Sequence, residues 1–369
     1  MERPVFKPVG TPVEELDTPA LVVDLDALEH NIEVLHGFFR EADANVRPHV
    51  EAHRCPAIAH KQMAAGGTVG GISVTTVGEA EVFAQNGFAD IFIASEIVTS
   101  AKINRLCALA KQVGVTVAVD NPRNVADLSD AARRASVTLS AVVDVHTGMD
   151  LCGVEPGQPA VDLARAVSRA SGLRFAGLMT YEGKILAEEA ESAAEESRKW
   201  VQQVLDTREM VEKAGMPVDV VSAGGTHNYE VVGAMAGVTE VPAGSYPLMD
   251  YRYCQYRTEF TPAARVMSTV TSVPDRTTAI TDSGQKAMGI DLGLPVVEDV
   301  PGVKLARMSA EHGILDLTGE GQKNVDLGDK VWLTPWDIAN CVNVYDYIQV
   351  SRKGKLEAVW DIAARGHYR

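Results

Sequence analysis

The chain has 369 residues, 46% of them hydrophobic and 23% charged, with a formal net charge of −16. So acidic a balance excludes nucleic acid or an anionic membrane as the main partner, because both require a cationic footprint. A (β/α)8 barrel takes roughly 250 residues, so the length predicts one large domain and a smaller second one, serving a small-molecule substrate.

Five cysteines, Cys55, Cys107, Cys152, Cys254 and Cys341, are scattered and form no C-x-x-C pair, the pattern expected of a reducing cytoplasm. No basic-then-apolar leader is read at the start, and no apolar run approaches the ~20 residues of a membrane span.

In chain order, residues 20–23 form an apolar run too short for a helix and read as a buried strand. Asp26 is placed to cap a helix whose apolar positions Leu28, Ile32 and Leu35 recur at three-to-four spacing. Strands are then expected at 46–53, 71–74, 91–94, 115–119, 139–145, 175–179 and 218–221. Between them the pattern predicts helices at 56–65, 77–86, 100–113, 121–135, 159–171 and 187–215. Alternation sustained over about 200 residues demands a parallel sheet with right-handed crossovers. About eight such units closing on themselves predict a TIM-like (β/α)8 barrel over 20–253, and no G-x-G-x-x-G follows the first strand to suggest a dinucleotide-binding sheet. Beyond it, short β-branched runs at 269–273, 278–281, 305–308, 330–333, 347–350 and 356–360 predict an antiparallel β domain over 254–369, with 1–19 attached.

The stretch Val46-Arg47-Pro48-His49-Val50-Glu51-Ala52-His53 is the first candidate for chemistry. If it is extended, His49, Glu51 and His53 project from one face and offer three metal-ligating or proton-transfer groups. In a barrel, functional groups gather at the C-terminal ends of strands, which adds Asp144, His146, Tyr181, Glu182 and Lys184. Ser222-Ala223-Gly224-Gly225-Thr226 has the composition of an anion cradle, and Gly244-Ser245-Tyr246 lies one unit later, where it could close the same pocket. In the β domain, His312 and Asp337 are titratable groups set among turn residues; Asp337 reads equally well as a turn cap, and Cys341 as a small core residue.

Together these stretches resemble the D-threonine aldolase and D-serine dehydratase family, whose fold is the alanine-racemase type. The likeness runs through Leu16-Asp17-Thr18-Pro19-Ala20, Arg47-Pro48-His49, Glu79-Ala80-Glu81, Gly148, Tyr181-Glu182-Gly183, Ser222 to Thr226, Thr239-Glu240, Gly244-Ser245-Tyr246, Met249-Asp250, the segment 282–287, Glu311-His312-Gly313 and Arg365-Gly366. The resemblance implies a pyridoxal-phosphate (PLP) barrel, a β domain and a homodimer. It also implies that residues 222, 224–226 and 244–246 hold the cofactor.

Three positions depart from the family pattern. The family's Arg-Pro-His-x-Lys-Thr-His carries the lysine that forms a Schiff base with PLP, and Glu51 stands in its place. A carboxylate forms no imine, so PLP cannot be held as an aldimine at residue 51. The family's metal-binding His-x-Cys or His-x-Asp aligns with Asp337-Ile338-Ala339, and its Gly-His aligns with Gly183-Lys184. Three readings follow. In the first and preferred one, His49, Glu51 and His53, with His312 or Asp337, hold a divalent ion, zinc, manganese, iron or cobalt, for lyase chemistry next to a hydroxyl; Glu51, His53, Tyr181 and Lys184 are the candidate proton-transfer groups. In the second, PLP binds non-covalently or through Lys184, and in the third the chain binds a phosphate ester without catalysis.

Overall fold

The computed structural model describes residues 6–149, 151–183 and 190–369. In chain order the elements begin with β1 (Ala20–Asp24), α1 (Leu25–Glu41), β2 (Asn45–Val46), α2 (Pro56–Ala64), β3 (Ile72–Val74), α3 (Val77–Gln85), β4 (Asp90–Glu96), α4 (Ser100–Leu109) and β5 (Gly114–Val119). They continue with α5 (Pro122–Ala135), β6 (Leu139–Asp144), α6 (Gln158–Arg169), β7 (Leu173–Met179), α7 (Ala190–Lys213), β8 (Val220–Ser222), α8 (Tyr229–Gly233) and β9 (Glu240–Val241). The remainder comprises α9 (Tyr251–Cys254), β10 (Ala264–Asp275), β11 (Thr278–Thr281), β12 (Val303–Met308), β13 (Gly313–Leu317), α10 (Gly321–Asn324), β14 (Lys330–Leu333), α11 (Ile338–Val342), β15 (Tyr347–Arg352) and β16 (Lys355–Asp361). The chain divides into two compact units, 35–51 with 59–244 and 366–369, and 1–34 with 52–58 and 245–365.

The first unit is the expected barrel. Its eight parallel strands run in the order β2-β9-β8-β7-β6-β5-β4-β3. The backbone beyond β2 bridges Val46 to Thr68 and His49 to Ser73, which joins the two ends of the sheet. Phe92, Ala118, Val142, Ala176 and Met179 fill the interior, with Ala94 and Val220 packed against them. Several helices start where a side chain satisfies their first N–H groups. Thr76 and Glu79 form a reciprocal capping box on α3, and the Asn121 side chain caps α5, with Pro122 next in line.

Two expectations are corrected here. Helix α1 is capped by Asp24, whose Oδ1 accepts the N–H of Ala27 at 3.0 Å. Asp26, expected at the cap, lies in the first turn and pairs with Arg352. Strand β1, expected to open the barrel at residue 20, instead lies in the sheet of the second unit, antiparallel to β10 and parallel to β15.

That second sheet has the order β12-β13-β11-β10-β1-β15-β16, with β14 also pairing with β10. A turn at Lys353-Gly354 separates β15 from β16, and β13 is an additional strand that the sequence pattern did not mark. Among the described residues, no helix is long and apolar enough to cross a membrane.

Candidate active site at the barrel mouth

Strand β2 is fixed by a buried charge cluster. Arg47, 7% exposed, donates from Nε to Glu240 Oε1 at 2.9 Å, pairs through Nη2 with Glu240 Oε2 at 2.9 Å, and through Nη1 with Asp90 Oδ2 at 3.1 Å. A side chain at Gly71 would meet Asp90 Oδ2 at 2.3 Å and Arg47 Nη1 at 2.7 Å, so glycine leaves the room this cluster needs to close. The backbone that follows presents His49 and Glu51 at the C-terminal end of the strand.

The extended run predicted there stops at Val50. Residues 51–53 form a turn and Arg54 has φ +49°, so the period-two argument that put His49, Glu51 and His53 on one face does not hold. His49 is half-buried, and its Nδ1 accepts the N–H of Glu51 at 3.4 Å. Glu51 is exposed, with the Thr75 hydroxyl donating to its Oε2 at 3.5 Å. His53 is fully buried, and its Nδ1 accepts the Cys55 N–H at 3.1 Å.

The segment after β8 is less of an anion cradle than its composition suggests. The Gly224 N–H donates to Glu182 Oε2 at 3.3 Å and the Gly225 N–H to Asn228 Oδ1 at 3.0 Å, while Asn228 Nδ2 donates to Glu182 Oε1 at 2.7 Å and to Ser197 Oγ at 3.0 Å. The two glycine donors expected for a phosphate are therefore engaged by a buried carboxyl network. Burial pushes the Glu182 carboxyl above its usual range, opposed by the hydrogen bonds from Asn228 and Gly224. Thr226 is buried, and the Ser222 Oγ is buried with no hydrogen-bond partner. Gly244 allows a close approach to His49, since a Cβ there would lie 2.9 Å from the His49 carbonyl oxygen. Tyr181 is 42% exposed after β7, its ring edge-on to His227. Lys184 lies outside the described residues.

In the other unit, Tyr246 is fully buried, Ser245 is half-buried and its carbonyl accepts the Met249 N–H, and His312 is exposed in the β12–β13 turn. Asp337 is the N-cap of α11, its Oδ1 accepting the Asn340 N–H at 2.8 Å, which is the capping role the sequence left open.

Among the described residues, one group of three or more His, Cys, Asp or Glu side chains brings its donor atoms within 4.8 Å of one another: Glu96, Asp144 and Cys152. The set expected to hold a metal is not that group. Sequence reasoning had Asp144 as a strand-end candidate but missed Glu96 and Cys152. Burial raises the Asp144 carboxyl to about 8, helped by the neighbouring charges of Glu96 and Asp120, and raises the Cys152 thiol to about 12 with the same acids contributing.

The residues do not fit PLP held in the usual way. Position 51 carries an acid where an amine is required, and the glycine N–H groups of the expected cradle are engaged.

Residues 23–251 match the family model described as alanine racemase, N-terminal domain, and residues 263–351 match a serine dehydratase domain. The chain is 33% identical over 365 residues to a D-threonine aldolase from an Arthrobacter species, covering 98% of this chain and 96% of that one. The crystal structure of D-threonine aldolase from Filomicrobium marinum superposes with a TM-score of 0.94 at 34% identity, covering 98% of this chain and 99% of the other. A D-threo-3-hydroxyaspartate dehydratase mutant, solved in a metal-free form, superposes at 0.83 with 26% identity, covering 95% and 98%.

Proposed function

Because the chain belongs to the D-threonine aldolase family within the alanine racemase fold, we propose that it is a lyase acting next to a hydroxyl on a small polar substrate, using a divalent metal ion rather than PLP anchored at residue 51. One observation carries this reading: Glu51 is an exposed carboxylate at the mouth of the barrel, where the family's amine would stand. An acid there cannot make the imine that activates an amino acid for cleavage, but it can accept the proton of a substrate hydroxyl. Activation of the carbon skeleton then falls to a Lewis acid, which polarises a carboxylate or hydroxyl oxygen without forming an imine. Tyr181, exposed after β7, is the second proton-transfer group. The net charge of −16 suits attraction of a divalent cation.

Two measurements on protein purified without added metal or vitamin test this. Elemental analysis is expected to find close to one zinc, manganese, iron or cobalt ion per chain. Cleavage or dehydration of a panel that includes D-threonine and D-threo-3-hydroxyaspartate is expected to disappear with a chelator and return with the metal. Glu51→Gln should abolish turnover while leaving metal content unchanged. A borohydride-reducible PLP chromophore, or activity that depends on added PLP and ignores the chelator, would overturn the proposal.

A further inference from the structure

The geometry assigns a divalent-cation site to Glu96, Asp144 and Cys152 inside the barrel mouth, in place of the histidine set around residues 49–53. The assignment rests on the proposed function only for what the ion does; the site itself is argued from the barrel.

Strand alternation sets the direction of these groups. Phe92 and Ala94 line the interior, and after an irregularity in the β4–β5 pairing Glu96 lies in register with Ala118, which belongs to the same interior cluster. Val142 lines it too, which turns Asp144 inward. Asp144 is paired in register with Met179, and Met179 with Ser222, so the three form one rung, and Met179 belongs to the interior cluster. Ser222 shares the face of Val220, which packs against the interior cluster, and so points into the barrel. Cys152 reaches it from the segment after β6, and the donor atoms of Glu96, Asp144 and Cys152 lie within 4.8 Å of one another.

An acidic group at a strand end is not a site, and two further observations make this one. Ser222 is 1% exposed and its Oγ has no hydrogen-bond partner, although it stands on the Asp144 rung facing inward. Glu96 Oε1 is also fully inaccessible and has no hydrogen-bond partner, although the Glu96 carboxylate otherwise bonds to Asp144 and Cys152. A buried carboxylate oxygen without a donor is costly, and no arginine or lysine ion pair to Glu96, Asp144 or Cys152 is found among the described residues. A cation resolves that cost, and two carboxylates with one thiolate are ligands that zinc or cobalt accepts while positions stay open for substrate oxygens.

Cobalt(II) titration of the whole chain, read by absorbance, tests the assignment. Wild type is expected to bind one equivalent with a near-ultraviolet sulfur-to-cobalt charge-transfer band. Cys152→Ser should abolish the band, and Glu96→Gln should weaken binding by more than the roughly 10–100-fold that loss of an outer-shell partner costs. His49→Ala should leave the band and the affinity unchanged. Both polar replacements are near-isosteric, and circular dichroism checks that they fold. Cobalt bound without the band, or lost in His49→Ala and kept in Cys152→Ser, would overturn the assignment and leave the metal-lyase reading standing. A Cys152-dependent site in a chain whose activity ignores metal would do the reverse.

Discussion

Replacing Glu240 by glutamine tests whether the Arg47 cluster holds the strand that carries His49 and Glu51. Glu240 supplies both carboxylate oxygens to the guanidinium, at 2.9 Å each, with 3% of its side chain exposed. Removing one member of a buried ion pair costs about 3–5 kcal/mol, because the partner charge is left without compensation. Here Asp90 still contacts Nη1 at 3.1 Å, but its side chain is 44% exposed and screened, and a glutamine oxygen accepts only one of the two former bonds. The expected loss is therefore at the lower end, about 3 kcal/mol. Read by urea unfolding of the barrel, this is a fall in midpoint of about 1 M if the slope is near 3 kcal/mol/M. The double variant Arg47→Met with Glu240→Leu removes both charges together and should recover most of the loss, since neither is stranded. A single-variant cost below about 1 kcal/mol, or a double variant as unstable as Glu240→Gln, would refute the claim that this pair secures β2.

Three further outcomes are expected. Burial raises the Asp250 carboxyl to about 7, with the charge of Asp337 adding to it, so the folded chain keeps a proton that the unfolded chain releases near 3.8. Between those two values folding stability should fall with rising pH, by at most roughly 4 kcal/mol, and Asp250→Asn should flatten that fall when urea midpoints at pH 5 and pH 8 are compared; an unchanged slope would contradict it. Gly177→Ala puts a Cβ 1.9 Å from the Val220 carbonyl oxygen across the β7–β8 pairing, and should cost about 3 kcal/mol in denaturant titration. In Gly78→Ala the new methyl would meet Arg369 O at 2.4 Å and His367 O at 2.8 Å, so amide exchange at 366–369 should speed up while the barrel strands keep their protection.

The barrel was legible because most of its strands, such as those at 91–94, 115–119 and 139–144, are short apolar runs that alternate with helical patterns, whereas the two-residue β9 went unmarked and the cap read at Asp26 belongs to Asp24. What a short run cannot reveal is its partner: Ala20 to Val23 reads as a strand, but its pairing with Met267 and Gln349 depends on contacts hundreds of residues away. The turn at 51–53 escaped for a related reason, since nothing local announces the positive φ of Arg54, and with it went the expected alignment of three side chains. Glu51 itself was legible as an oddity only beside the family motif. The grouping of Glu96, Asp144 and Cys152 was not, because the ends of β4 and β6 and the segment after β6 supply it, and the irregularity between Ile93 and Glu96 breaks the alternation that would have pointed Glu96 inward.

The placement of β1 also bears on how the chain is made. Its two sheet neighbours, β10 and β15, are both made long after it. At 5–20 residues per second, roughly 240 further residues separate the synthesis of β1 from that of its first partner, a wait of about 10–50 s. Throughout that interval the barrel strands can pair among themselves, while Ala20-Leu21-Val22-Val23 stays an open edge. Fusion partners, tags or slow codons that lengthen the delay would act on aggregation before they act on the finished enzyme.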